Sequence, residues 1–257
     1  MFCAALIVVG GALIISPETV KEAFSGREGA LVVLNKTGQA IIRCDEAACT
    51  EKLPPCSTFK IWNSAIGLET GIVSDPDAPF WKWDGQKRWL GDWNRDQTLR
   101  SAFAASCVPA YQALARQIGR ERMAEYIHKL SYGNEDISAG VDVFWLPGPG
   151  RKPLLISPDE QAALLAKLAT GKLPFSPSTQ RILKEIMKAK QTEQGTLYGK
   201  TGTGQVGPDH ANVGWFVGYF ESDTEIYAFA CAIKAQGVTG KDARAIVEKI
   251  FSEAKVL

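Results

Sequence analysis

The chain has 257 residues, 29 basic against 28 acidic side chains, and a net charge of +1 at neutral pH. Hydrophobic residues make up 46% and charged residues 22%, a globular composition that excludes disorder, collagen and coiled coil. The near-zero charge gives no electrostatic reason to expect nucleic acid or an anionic membrane as partner. Two histidines, His128 and His210, are too few for a zinc site built on several imidazoles.

Phe2 to Ile15 is an unbroken apolar run that ends at Ser16-Pro17. A membrane-spanning helix needs roughly 20 such residues and a signal core about 7–15, so residues 1–16 read as an export signal. No basic residue precedes the run and no clear cleavage site follows; a buried N-terminal helix or strand is the alternative.

Pro17 to Ser25 reads as a short helix. Gly29–Leu34 and Gln39–Arg43 flank the turn residues Asn35-Lys36-Thr37-Gly38 and predict a β-hairpin. Cys44 and Cys49 bracket a polar segment, Asp45 to Ala48, read as a loop. A disulfide closing it is plausible in an oxidising compartment, and two surface thiols are the other reading. Cys56, Cys107 and Cys231 stand in apolar surroundings and read as buried, reduced thiols.

A helix begins near Ser57, followed by a polar loop carrying Trp81, Trp83, Trp89 and Trp93. Thr98 to Leu130 is helical with breaks near Val108-Pro109 and Gly119, and Gly140 to Pro153 is loop. Ser157-Pro158 opens another helix through a cap with proline at the first position, and Pro177–Lys190 gives one more. The period then changes: Thr196–Lys200, Ala211–Phe220 and Glu225–Lys234 read as strands, and Lys241–Ala254 as an amphipathic helix. Strands at both ends with helices between predict an α+β fold, an antiparallel β-sheet flanked by helices. It forms one domain, 17–257, with a helical subdomain over about 70–190.

With histidine scarce, a serine activated by lysine is the chemistry to seek. Ser57-Thr58-Phe59-Lys60 puts both side chains on one helix face. The pattern is weak alone, since 14 serines and 18 lysines predict about one chance S-x-x-K. The second copy, Ser252 to Lys255, lies at the polar C-terminal end. At Ser57 the preceding Pro54-Pro55 forces an extended entry and apolar residues surround the lysine. Lys-Thr-Gly also occurs twice; Lys36 to Gly38 reads as the hairpin turn. Lys200-Thr201-Gly202 ends a strand before a glycine-rich stretch, where a substrate can lie along the edge and Lys200 can meet a carboxylate. Between them stands Ser106-Cys107-Val108, where a lone serine is more often a helix cap than a proton relay.

In this order the motifs resemble the penicillin-recognising serine enzymes, and among them the class D β-lactamases (oxacillinases). Tyr132-Gly133-Asn134, Phe144-Trp145-Leu146, Phe80-x-Trp-x-Trp-Asp-Gly85 and Trp93-Asn94-Arg95-Asp96 extend the likeness from roughly Gly29 to the C-terminus. The resemblance implies a serine β-lactamase/transpeptidase-like fold and hydrolysis of β-lactam antibiotics through an acyl-enzyme on Ser57. It implies Lys60 as an N6-carboxylysine serving as general base, needing carbon dioxide or bicarbonate but no metal or other cofactor. The Trp145 indole would hold that group, and Ser106 would relay a proton to the leaving nitrogen.

Val108 and Leu146 match the apolar pair beside the modified lysine, and Lys200, Thr201, Gly202, Thr203 and Arg244 match the substrate-binding side. A plain helix-surface arginine is the competing reading for Arg244. Main-chain N–H groups of Ser57 and Thr203 would form the oxyanion hole, and Tyr132-Gly133-Asn134 would shape the cleft wall. The implied setting is bacterial, periplasmic or secreted, with no stable membrane insertion of the mature chain. The alternative is a penicillin-sensing receptor domain that acylates without turning over. Position 203 departs from the family, being threonine where many relatives carry an aromatic, and Cys56 and Cys107 adjoin the two serines.

Overall fold

The computed structural model describes residues 15–206 and 212–257. All but the last two residues of the expected leader lie outside the described residues.

Ser16 caps the first helix, its Oγ accepting the Thr19 N–H at 3.1 Å, and Pro17 occupies the first turn of α1 (Pro17–Phe24). β1 (Glu28–Asn35) and β2 (Ala40–Cys44) form the expected hairpin. Asn35 Oδ1 closes the Lys36-Thr37-Gly38 turn by accepting the Thr37 and Gln39 amides, both at 3.0 Å. The first Lys-Thr-Gly is therefore turn chemistry.

The segment after β2 departs from the expected loop and forms α2 (Glu46–Thr50), capped by Asp45. Both thiols that bracket it are free. Cys49 Sγ donates to the Cys44 carbonyl at 3.1 Å, and Cys44 Sγ accepts the Leu31 N–H at 3.1 Å. Each sulfur thus has a backbone partner, and the disulfide is not formed. Cys56, Cys107 and Cys231 are buried and free, as expected.

A single 3-10 turn, Cys56–Phe59, leads into α3 (Lys60–Glu69). The tryptophan-rich segment holds the short strands β3 (Pro79–Trp81) and β4 (Gln97–Thr98), which pair with each other. Then come α4 (Leu99–Ala104), α5 (Val108–Ile118) and α6 (Arg120–Leu130), broken where Pro109 and Gly119 predicted. α7 (Pro158–Ala169) starts in a full capping box between Ser157 and Glu160.

α8 (Pro177–Met187) stops short of Lys190. Lys188 turns extended (φ −58°, ψ 115°), and β5 (Lys188–Gln191) pairs with the start of β6 (Thr196–Gln205). The polar Lys188-Ala189-Lys190-Gln191 carries no strand pattern, so pairing rather than propensity makes this strand. β7 (Asn212–Glu221), β8 (Ile226–Ala235) and α9 (Gly240–Glu253) complete the chain. β6 runs past Lys200, where the sequence reading ended it, because residues 201–205 keep their partners on β7.

The sheet order is β2-β1-β8-β7-β6-β5, with every adjacent pair antiparallel. Both termini complete it, the expected α+β arrangement. The central strands are covered on both faces, so alternate residues enter two cores. Ala30 and Val32 of β1, Val213, Trp215 and Val217 of β7, and Ala228 and Ala230 of β8 join Trp62, Tyr111 and Leu165 of the helical layer. Leu31, Val33, Phe216, Phe229 and Ile233 face α1 and α9 instead, with Phe24, Ile246 and Phe251. Each Val, Leu, Ile or Phe among them contributes about 1.5–3 kcal/mol by leaving water.

The Tyr132-Gly133-Asn134 motif is structural. Asn134 N–H donates to the Leu155 carbonyl, and Leu155 N–H donates back to Asn134 Oδ1, both at 2.9 Å. Gly133 has φ +59°, and a Cβ there would run into the Leu155 carbonyl. Gly133→Ala is therefore expected to lower stability by about 2–4 kcal/mol. Gly26→Ala, at φ +77° in open space, should cost only about 1 kcal/mol. Urea midpoints of the two variants check this; equal losses would refute the clash.

Candidate active site

Pro54 and Pro55 set the approach to Ser57. Trp215 Nε1 of β7 donates to the Pro54 carbonyl at 2.9 Å, and Thr58 donates to the Pro55 carbonyl through N–H (3.1 Å) and Oγ1 (2.7 Å). Gln161 of α7 donates to Thr58 Oγ1 at 2.9 Å. Neither Trp215 nor Gln161 carried a sequence signal for this role, because their partners are distant in the chain. Cys56 sits at φ +51°, a left-handed conformation that a non-glycine residue holds only where its surroundings over-determine it. In the 3-10 turn residues three apart eclipse, which lays Lys60 Nζ 2.8 Å from Ser57 Oγ.

Lys60 is fully buried, while Ser57 is half-exposed. Burial, then the charge of nearby Lys200, holds the Lys60 amine well below the usual lysine range. An amine so lowered gives up its proton more readily than an ordinary lysine, and without that proton it can accept one from a neighbouring hydroxyl.

The second amine faces the second serine. Lys200 is 5% exposed, and its Nζ donates to Ser106 Oγ and to the Thr201 carbonyl, both at 3.1 Å. Burial pulls its pKa down to about 8. Ser106 links α4 to α5 at φ +51°, fixed by its own N–H to the Phe103 carbonyl (3.1 Å) and by Cys107 N–H to the Ala102 carbonyl (2.8 Å).

β6 lies directly against the Ser57 turn. A Cβ on Gly202 would stand 3.0 Å from the Pro55 carbonyl oxygen and 3.2 Å from Thr58 N, and one on Gly204 would strike Cys56 Sγ and Pro147. Only glycine permits this approach, which brings the Ser57 and Thr203 backbones to one wall. β5 pairs only with residues 196–198 of β6, so the strand past Tyr198 has no strand on its other side among the described residues.

Trp145 is buried, stacked on Phe59 (centroids 5.8 Å, 19° between planes), with Phe144 edge-on to both. Its indole Nε1 is buried and has no hydrogen-bond partner among the described residues, a state that costs a donor about 1–3 kcal/mol. Val108, first residue of α5, and Leu146, after Trp145, are half-buried. Burial raises the Cys56 thiol to about 12 and raises Cys107, so neither is a ready nucleophile.

Strand alternation turns Thr201 and Thr203 to the opposite face from Lys200. A Cβ on Gly240 of α9 would be 2.7 Å from Thr201 Cβ, and Thr203 Oγ1 accepts the Gly240 N–H at 2.9 Å. Arg244, one turn further along α9, donates to Glu248 at 2.7 Å and to the Ala189 carbonyl at 3.3 Å, and lies over the Phe216 ring. Its guanidinium is thus engaged on the α9 side of the sheet, while Ser57, Lys60, Ser106 and Lys200 gather on the other.

The penicillin-binding-protein transpeptidase domain matches residues 20–253. The chain is 39% identical over 228 residues to the probable β-lactamase YbxI of Bacillus subtilis, covering 89% of this chain and 82% of that protein. It is 40% identical over 203 residues to β-lactamase OXA-10 of Pseudomonas aeruginosa, covering 79% and 74%. The structure of FUS-1 (OXA-85), a class D β-lactamase from Fusobacterium nucleatum, superposes with a TM-score of 0.86 at 38% identity, covering 93% and 98%. The chain belongs to the class D β-lactamases. The regulatory protein BlaR1 of Bacillus licheniformis is also similar, 34% identical over 209 residues, which cover 81% of this chain and 33% of that protein.

In this class D β-lactamase the buried Lys200 amine leaves a mark on stability. Lys200 has a folded pKa of about 8 against an ordinary 10.5. Between these values the unfolded chain binds a proton that the folded chain does not, so stability rises with pH across that window and the gain is absent below about 8. Relative to Lys200→Met, the wild type should gain on the order of 2 kcal/mol between about pH 7.5 and pH 10. Urea melts of both proteins at the two pH values measure it; parallel curves would show that Lys200 is protonated throughout.

Proposed function

We propose that the chain is a serine β-lactamase that opens the β-lactam ring of penicillins and related antibiotics through an acyl-enzyme on Ser57, with a carboxylated Lys60 as general base. The observation that carries this reading is the buried amine 2.8 Å from Ser57 Oγ, with the Trp145 ring stacked on the intervening Phe59 and its indole N–H buried without a partner among the described residues.

The residues fit the modification. A lysine kept neutral by burial can combine with carbon dioxide, and the carbamate needs a donor in an apolar site; Trp145 Nε1 is that donor. When present, the carbamate supplies a base that takes the Ser57 proton and later activates the deacylating water. Ser57 Oγ attacks the lactam carbonyl, and the main-chain N–H groups of Ser57 and Thr203 receive the developing oxyanion. Ser106, held by Lys200, passes a proton to the nitrogen that leaves as the ring C–N bond breaks. Lys200 and Gly202 from the Ser57 face, and Thr201 and Arg244 from the α9 face, would meet the substrate carboxylate at the open edge of β6, and Val108 with Leu146 limits water near Lys60.

We read residues 17–257 as one catalytic domain with a helical part over about 70–190, working in the periplasm or secreted after removal of an N-terminal signal. The similarity to BlaR1 makes an acylating sensor the second reading, and turnover separates the two.

Purified protein with bicarbonate is expected to open many equivalents of a chromogenic cephalosporin; a burst of about one equivalent and then silence is the sensor outcome. Lys60→Ala should lower kcat by about 10²–10⁴-fold, and near-native turnover would end the lysine-base mechanism. Trp145→Phe should lose activity that added bicarbonate partly restores. If carbon dioxide depletion and bicarbonate leave both wild type and variant unmoved, the carboxylated lysine is wrong.

A further inference from the structure

We propose that Trp93 is a positioning residue for Ser106, acting through one hydrogen bond to the peptide that precedes it. Trp93 Nε1 donates to the Ala105 carbonyl at 2.9 Å. That carbonyl lies at the C-terminal end of α4, among the groups a helix leaves without an internal partner. The next residue is Ser106, in the left-handed region at φ +51° with its Oγ on Lys200. Rotating the Ala105–Ser106 peptide would swing Ser106 Oγ off that amine, and the Trp93 bond opposes the rotation.

The loop that carries Trp93 is built to hold the indole still. Asn94 Oδ1 accepts the Arg88 N–H at 2.7 Å, and its Nδ2 donates to the Arg88 carbonyl at 2.9 Å. Gln97, fully buried, donates to the Asp92 carbonyl at 2.7 Å and to the Arg95 carbonyl at 3.2 Å. Its Oε1 accepts from Ser101 Oγ at 2.8 Å, and Ser101 is half of the capping box that starts α4. The Trp93 loop is therefore fastened to the first turn of α4 while its indole holds the last carbonyl. Both ends of this six-residue helix are referenced to one rigid loop, and Ser106 emerges from it. Trp89, 85% exposed, leans on the Trp93 ring (centroids 6.1 Å) without bonding to the turn.

The inference rests on Ser106 being the proton relay proposed above, so the test separates the two. Trp93→Phe keeps a ring and removes only the N–H. Wild type, Trp93→Phe, Ser106→Ala and the double variant are compared for kcat and KM on a chromogenic cephalosporin, with thermal midpoints. The expected result is a kcat loss of about three- to tenfold in Trp93→Phe, the range one neutral hydrogen bond supplies, with KM and midpoint near wild type. In the Ser106→Ala background the same substitution should change kcat little, because the group it positions is gone. Native kcat in Trp93→Phe overturns the inference and leaves the relay standing. So does a change in KM alone, which would make the indole a substrate surface. Equal losses in both backgrounds, or a variant that does not fold, would make it structural. Native kcat in Ser106→Ala removes the relay itself, and the positioning role with it.

Discussion

The molecule is organised around two amines buried together with no carboxylate hydrogen-bonded to either among the described residues. Lys60 donates to a serine hydroxyl, and Lys200 to a serine hydroxyl and a carbonyl. Removing an ammonium from water costs several kcal/mol even after relaxation, and dipoles of this kind offset only part of it. Two such cations in one site also repel, and the charge of Lys200 adds to burial in lowering Lys60. The cheapest state gives up a proton, and it falls to the more deeply desolvated amine beside Ser57 to do so. The placement of the two lysines thus makes the Lys60 amine easier to deprotonate than a lysine in water.

Keeping the amines dry is the work of the surrounding layers. Phe59, on the chain between Ser57 and Lys60, is boxed by Tyr132, Phe144 and Trp145. β6 closes the other side, through glycines at 202 and 204 that bring its backbone against the Ser57 turn. The strain is local. Cys56 and Ser106 both sit at φ +51°, and each is held by interactions from several elements. Trp215 and Gln161 hold the first turn; the α4 carbonyls and the Trp93 loop hold the second. These are residues whose conformation the rest of the structure over-determines.

What the sequence made legible, and what it hid, divides along the range of the interaction. The hairpin, the α7 cap, the breaks at Pro109 and Gly119 and the closing helix were readable because turn and cap chemistry is local. The pairing of Ser57 with Lys60 was readable for the same reason, although a 3-10 turn delivers it where a helix was expected. β5 was invisible, since its four polar residues become a strand only by pairing with β6. The Cys44–Cys49 spacing offered a disulfide, but a strand and a short helix turn the two sulfurs onto separate backbone partners. Alternation along β6 was the least obvious point. Adjacent positions in Lys200-Thr201-Gly202-Thr203 face opposite sides of a sheet, so the motif reaches two layers at once.

That double reach explains how position 203 acts. Thr203 does not project beside Lys200; its hydroxyl accepts the first amide of α9 at Gly240. Arg244 stands one turn along that helix, steadied by Glu248, the Ala189 carbonyl and the Phe216 ring. Thr203 thus ties the wall formed by β6 to the helix that carries the arginine. An aromatic side chain could not make that hydroxyl contact, and α9 would have to find another partner for Gly240 N–H. Substitution at 203 therefore removes one tie between β6 and α9 as well as altering the strand edge. The reacting pair, Ser57 and Lys60, stays anchored by Trp215 and Gln161 on the opposite face. The fold in this way puts the buried amines and the Arg244 helix on opposite faces of one strand, joined through β6.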